Sequence, residues 1–178
     1  YHCKALEVRK SLYGENHTDV AISYRSIGHA YYHQKEYKKA LEQYSKCLEI
    51  RKSIYRDKNH SEIAICYSNI GHMYSAQEDY KKGLESHSKA LEMRKSLFGE
   101  EHSDTATSYA DVAAMYHSLN DNKQATENYL KCLEIRKKVN GENHHLTATA
   151  YLDVGLIFKQ EKEYNKALGH LLKCLEIR

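Results

Sequence analysis

The sequence contains no proline and no tryptophan. Proline breaks helices because its ring removes a backbone donor and clashes with the preceding turn, so its absence favours an almost wholly helical chain. No segment approaches the ~18 consecutive apolar residues that a membrane-spanning helix requires. The net charge of +3 is too small to indicate nucleic acid or an anionic membrane as a partner.

Motifs for catalysis and cofactor binding are also missing. The sequence lacks a glycine-rich phosphate loop, a G-x-S-x-G nucleophile turn and an H-E-x-x-H zinc pair. Its five cysteines are odd in number and form no C-x-x-C pair, which favours reduced thiols over a disulfide framework. We therefore expect a cytoplasmic protein with no enzymatic activity and no cofactor. Because the chain begins at Tyr1 without a targeting segment, we expect a fragment of a longer protein.

A repeat dominates what the sequence does contain. The motif L-E-x-R begins at Leu6, Leu48, Leu91, Leu133 and Leu175, in steps of 42 or 43 residues. Each repeat holds two stretches with apolar residues at helical spacing, separated by a short polar turn, which predicts antiparallel helix pairs. We predict one array over 1–178 with about nine helices: a partial leading helix at 1–13 and helix pairs at 18–55, 61–97, 103–139 and 145–178.

Small side chains recur at fixed positions inside these helices. The first helices of the pairs carry Gly28, Gly71, Ala113 and Gly155 at one register. Glycine inside a helix costs about 0.5–1 kcal/mol relative to alanine, so its recurrence predicts that another helix packs closely there. The cysteines at 47, 132 and 174 lie on a similar line in the second helices, and we expect them to be buried as small hydrophobes.

The repeated residues resemble the tetratricopeptide repeat (TPR) over essentially the whole chain. That motif has an aromatic, Leu, Gly and Tyr on its first helix and Ala, an aromatic and Ala on its second. The first unit matches it with Tyr24, Ile27, Gly28, Tyr31, Ala40, Tyr44 and Cys47. The period exceeds the usual ~34 residues and resembles the branch that includes kinesin light chains. The resemblance implies an all-α, right-handed α-solenoid of antiparallel helix pairs that acts as a protein–protein interaction scaffold.

One histidine recurs in each loop that joins two repeats, at His17, His60, His102 and His144. Equivalent atoms of stacked repeats lie on the order of 15–20 Å apart, whereas zinc ligands lie about 2 Å from one ion. The four histidines therefore cannot share a metal, and we predict a structural role near the helix starts. The following Thr18, Ser61 and Ser103 are predicted to be the N-caps, because hydroxyl side chains satisfy free backbone N–H groups.

The inner, concave face of such an array is lined by its first helices and is the default binding surface. Side chains on these helices that point away from the packing face are the expected peptide-binding residues. They are Arg25, His29, Tyr32, His33, Asn69, His72, Asp111, His117, Asp153, Leu156 and Lys159. Their charges suit a peptide with an acidic part near the first two repeats and a basic or apolar part near the last two. The resemblance implies that Asn69 binds the peptide backbone through its amide.

Other interpretations remain open. A related TPR subclass binds C-terminal carboxylates, but two of its basic positions are here occupied by Thr107 and Asp111, and Asp111 would repel a carboxylate. His29 and His33 stand four residues apart and are able to chelate a metal, although no third ligand has suitable spacing. Metal or nucleic acid binding is the weakest alternative. The strongest is an architectural array that self-associates through uncapped terminal helices and binds no peptide.

Overall fold

The computed structural model describes residues 2–56 and 58–178, with side chains from residue 4 onward. The chain divides into two compact units, Tyr1–Met93 and Arg94–Arg178. The described residues form nine α-helices and no strand, so the all-α prediction is confirmed for them. The helices are α1 His2–Tyr13, α2 Thr18–His33, α3 Tyr37–Tyr55, α4 Ser61–Ala76, α5 Tyr80–Phe98, α6 Ser103–Ser118, α7 Asn122–Asn140, α8 His145–Gln160 and α9 Tyr164–Ile177.

Each first helix ends in the same tight turn. After α2, Lys35 adopts a left-handed backbone with φ of 59°, and the Glu36 N–H donates to the Tyr31 carbonyl at 2.9 Å. This arrangement is the Schellman motif, which satisfies the last carbonyls of a helix and reverses the chain. The equivalent left-handed residues are Glu78, Asn120 and Lys162. The turn leaves three residues between α2 and α3, so the two helices run antiparallel and pack together.

Close approach between helices explains the recurring glycines. A methyl group added at Gly28 would lie 2.8 Å from Cε1 of the buried Tyr44, and one at Gly71 would lie 2.6 Å from Nε2 of His87. Both distances are too short for a carbon, so the predicted close packing at these two positions is confirmed. The predicted burial of cysteines is likewise confirmed at 47, 132 and 174. Cys3 lies outside the described side chains.

The four recurring histidines cap the first helices. In each of them, Nδ1 accepts a hydrogen bond from the backbone N–H two residues later, at 3.1–3.2 Å. The predicted structural role is confirmed, but the predicted N-caps at Thr18, Ser61 and Ser103 are wrong, because these residues already belong to the helices. Nδ1 stands as many bonds from the backbone as the side-chain oxygen of asparagine, so histidine in extended backbone geometry reaches the same N–H group.

The arginine of the L-E-x-R motif connects each second helix to the next first helix. Arg51 is only 3% exposed and places Nη2 3.0 Å from Oε2 of Glu62. Arg94 donates to the Ser108 hydroxyl at 2.5 Å, and Arg136 donates to the Leu146 carbonyl at 3.0 Å. The motif therefore repeats because its arginine stabilises successive helix pairs.

Candidate functional site

Six of the predicted peptide-binding residues lie in the first unit, on α2 and α4. Four of them surround one open cavity of about 200 Å³, while Arg25 and His33 lie outside its lining. Tyr44 of α3 and Met73 of α4 complete the cavity, although neither is among the predicted residues. The described side chains that line it are those of His29, Tyr32, Tyr44, Asn69, His72 and Met73.

The first cavity is lined by polar groups that can donate and accept hydrogen bonds. Burial lowers the pKa of His29, and electrostatic repulsion from Arg25 and His33 lowers it further, which favours the neutral imidazole. The His29 ring meets the Tyr44 ring edge-on, with centroids 5.6 Å apart. Burial raises the pKa of Tyr44 to about 12, which keeps its hydroxyl protonated. Asn69 adds an amide that donates and accepts hydrogen bonds.

Arg25 has a partner within the protein. Its Nη1 lies 3.3 Å from Oε2 of Glu62, the same carboxylate oxygen that Arg51 contacts. The positive charge of Arg25 is thus partly compensated, and it attracts an acidic peptide less than the sequence indicated. His33 is exposed, and its ring lies 5.5 Å from that of Tyr32.

The other five predicted residues lie in the second unit, on α6 and α8. Three of them surround an open cavity of about 240 Å³, whereas Asp111 and Lys159 lie outside its lining. Nε2 of His117 and Oε1 of Gln160 are hydrogen-bonded to each other and link α6 to α8. Among the residues that the structure describes, those lining the cavity are His117, Tyr129, Asp153, Leu156, Ile157 and Gln160.

Asp153 gives the second cavity an acidic character. Burial raises the pKa of its carboxyl group, and Arg136 opposes that rise. Among the described side chains, none forms an ion pair with Asp153. Burial raises the pKa of Tyr129 to about 12, helped by the negative charge of Asp153. The cavity therefore combines a partly desolvated carboxylate with a neutral phenol.

The two cavities occupy equivalent places in the repeat. Tyr44 and Tyr129 are each the eighth residue of a second helix, α3 and α7. Asn69 and Asp153 are each the ninth residue of the following first helix, α4 and α8. Neither tyrosine was predicted to reach a cavity, because both fit the packing face. The available signal is that both occupy the aromatic position of the motif on the second helix.

The described residues lack the features of a metal site and of a membrane-spanning helix. Within residues 2–56 and 58–178, no three His, Cys, Asp or Glu side chains are arranged to hold a metal ion. Over the same ranges, no helix combines the length and apolar character needed to cross a membrane.

An apolar stripe lies exposed on α9. Four large side chains along this helix are 49–69% exposed: Tyr164, Leu168, Leu172 and Leu175. Their spacing of three or four residues places them on one face of the helix. This stripe bears on the alternative of self-association.

Solved structures similar to this chain share its repeat architecture. BtubC (BKLC) from P. vanneervenii superposes with a TM-score of 0.83 at 20% identity, covering 89% of this chain and 63% of that protein. A putative kinesin light chain of Podosopora anserina with nearly identical TPR-like repeats gives a TM-score of 0.84 at 14% identity, covering 99% and 83%. A Rap protein complexed with Competence and Sporulation Factor gives a TM-score of 0.75 at 21% identity, covering 89% and 42%. The chain thus spans less than two thirds of BtubC and of the Rap protein.

The sequence comparisons agree with this architecture. No curated protein sequence matches the chain. The sequence profile of the tetratricopeptide repeat matches residues 1–53, 62–138 and 121–178, which together cover nearly the whole chain. The fold class inferred from the repeated motif is therefore confirmed, and the chain belongs to the tetratricopeptide repeat family.

Proposed function

We propose that this protein is a non-enzymatic, cytoplasmic interaction scaffold that binds an extended peptide segment of a protein partner. The observation that carries the proposal is the pair of equivalent cavities, each lined by residues predicted to contact a peptide. Membership of the TPR family supports the scaffold role. The similar Rap protein complexed with Competence and Sporulation Factor supports a peptide or protein as the ligand.

The size of the cavities favours a peptide side chain over a small molecule. Their volumes of about 200 and 240 Å³ lie below the roughly 300–1,000 Å³ typical of small-molecule pockets. In the first unit, Asn69 is partly exposed at the cavity. Its amide group has the donor and acceptor that one extended peptide unit requires, so it would fix the backbone while a side chain enters the cavity.

Replacing Asn69 tests this proposal. A peptide library displayed on phage is selected on the purified protein, and the enriched peptides are titrated by calorimetry. We expect Asn69→Ala to weaken their binding about tenfold, because two hydrogen bonds to the peptide are lost. Asn128→Ala is the matched control, since the Asn128 amide bonds the Gln124 carbonyl of its own helix and lies outside both cavities. Equal binding by all three proteins, or no enriched peptide, would contradict the proposal.

The architectural alternative is favoured by the exposed apolar stripe on α9. Burying such side chains against a second copy would release apolar surface from water. We nevertheless expect light scattering to give the monomer mass of 20.7 kDa at high micromolar concentration, because peptide binding needs no second copy. The comparison variant is Leu168→Glu with Leu172→Glu. A mass that rises with concentration in the original protein, but stays at the monomer value in this variant, would establish self-association. If Asn69→Ala also left peptide binding unchanged, the architectural alternative would be favoured.

A further inference from the structure

We propose that the cavity of the second unit recognises a single lysine or arginine side chain of the bound peptide. This inference rests on the proposed function and specifies the ligand of one of its two cavities. Asp153 lines the cavity with a carboxylate that has no ion-pair partner among the described side chains. An entering cation would supply that partner in a partly desolvated setting, where charge pairing is stronger than in water.

The other walls of the cavity match the remaining parts of a basic side chain. Ile157 is buried, and Leu156 is 50% exposed and able to cover an aliphatic stem. Long basic side chains bury their methylene groups along such surfaces while the charged end seeks polar atoms. The Tyr129 hydroxyl stays neutral because the pKa of Tyr129 is raised to about 12. Its oxygen can therefore accept a hydrogen bond from the cation, alongside the carboxylate.

The equivalent cavity of the first unit lacks this chemistry. It has Asn69 where the second has Asp153, and His72 where the second has Leu156. None of the described side chains that line it carries a carboxylate, and Tyr44 stands at the position of Tyr129. The first cavity therefore serves as an internal comparison: it should accept neutral or hydrogen-bonding side chains with no preference for a cation.

The charges around Asp153 come from two packed helices. Arg136 of α7 opposes the effect of burial on Asp153 and donates a hydrogen bond to the Leu146 carbonyl, while the negative charge of Asp111 of α6 acts on the neighbouring Tyr129. Cys132 of α7 contributes no charge near neutral pH, since burial raises its pKa to about 11. His117 of α6 is hydrogen-bonded to Gln160. Because the pKa of Asp153 is raised, its attraction for a cation is complete above that pKa and is lost as pH falls through it.

The test uses blocked pentapeptides, acetyl-Gly-Gly-X-Gly-Gly-amide, in which X is arginine, lysine, norleucine or glutamate. Their dissociation constants are measured by NMR titration of the whole chain, together with the shifts of Asp153, Leu156 and Ile157. We expect the arginine and lysine peptides to bind at least tenfold more tightly than the norleucine peptide. Asp153→Asn should reduce this ratio to below twofold. Glu127→Gln, which removes one exposed carboxylate from α7, should leave the ratio unchanged.

A reciprocal variant protects the test against a folding defect. Asn69→Asp places a carboxylate at the equivalent position of the first cavity and is expected to create a second set of shifts, at Met73 and Tyr44, with the arginine peptide. Asp153→Asn itself should fold, because it removes a partly buried carboxyl group whose raised pKa disfavours the folded state as pH rises.

The outcomes separate this inference from the proposed function. Phage-selected peptides that contain a basic residue and lose affinity on Asp153→Asn would support both. Enriched peptides that bind Asp153→Asn as well as the original protein would overturn the inference and leave the scaffold role intact. A pentapeptide preference that depends on Asp153, without any enriched peptide, would support recognition of a basic side chain and contradict the binding of an extended peptide segment. No binding in either experiment would overturn both.

Discussion

Gly71→Ala is expected to lower the free energy of unfolding by about 1–2 kcal/mol. The added methyl group would lie 2.6 Å from Nε2 of His87, whose side chain is 1% exposed and packs against the His72 ring with centroids 4.7 Å apart. Forcing an extra carbon into a packed core costs about 1–3 kcal/mol, and the better helix propensity of alanine returns less than 1 kcal/mol of it. Urea unfolding followed by circular dichroism at 222 nm measures the difference.

Gly169→Ala is the matched control for this substitution. Gly169 also lies inside a helix, α9, but a methyl group there would meet no atom within 4 Å. Helix propensity alone then acts, so the free energy of unfolding should rise by about 0.5–1 kcal/mol. The same chemical change is thus expected to have opposite signs at two helical positions. If Gly71→Ala stabilised the protein as much as Gly169→Ala does, the close approach of α5 to α4 at His87 would be refuted.

Glu62→Gln is expected to lower the free energy of unfolding by about 1–3 kcal/mol. One carboxylate oxygen of Glu62 contacts both Arg25 and Arg51, at 3.3 and 3.0 Å. Arg51 is 3% exposed, so the neutral amide would leave a buried guanidinium without a counter-charge. Removing one partner of a fully buried pair costs about 3–5 kcal/mol, and the 30% exposure of the Glu62 side chain reduces that penalty. Chemical denaturation at fixed pH measures the loss.

Asp104→Asn is the control for Glu62→Gln. Asp104 is the second residue of α6, as Glu62 is of α4, and both interact with the helix dipole. Asp104 is exposed, so the change should cost about 0.3–1 kcal/mol from the dipole alone. A loss of similar size in the two variants would show that Arg51 gains nothing from Glu62. Because the contact is largely buried, the Glu62→Gln effect should also persist at high salt, whereas the Asp104→Asn effect should shrink.

The helix pairs and the positions of close helix packing were predictable because the repeat period and the recurring small residues mark them in the sequence. The period of L-E-x-R sets where each pair recurs, and helical spacing identifies the packing face on which Gly28 and Gly71 lie. The exposed face follows by elimination, so His29, Asn69 and Asp153 were predicted as accessible residues. That the chain forms one array, and that it is a fragment, stays a prediction.

The particular side chains that meet across neighbouring helices were not predictable in this way. Arg25 looks like a free groove cation in the sequence, and only the fold brings it to Glu62, 37 residues away. Tyr44 and Tyr129 fit the packing face, yet the gap between neighbouring first helices also exposes them to a cavity. At the repeat joints, histidine and the following Thr or Ser are both able to cap a helix, and backbone geometry decides for histidine.

The equivalence of the two cavities has a consequence for how such a protein can diversify. Both cavities contain the tyrosine that the repeat places on its second helix. They differ at partly or fully exposed residues of α4 and α8. Substitutions at those positions, such as Asn69 in one cavity and Asp153 in the other, change the groups presented to a ligand without changing the buried contacts between helices. Each duplicated repeat therefore adds a cavity position at which a single substitution is able to change ligand specificity.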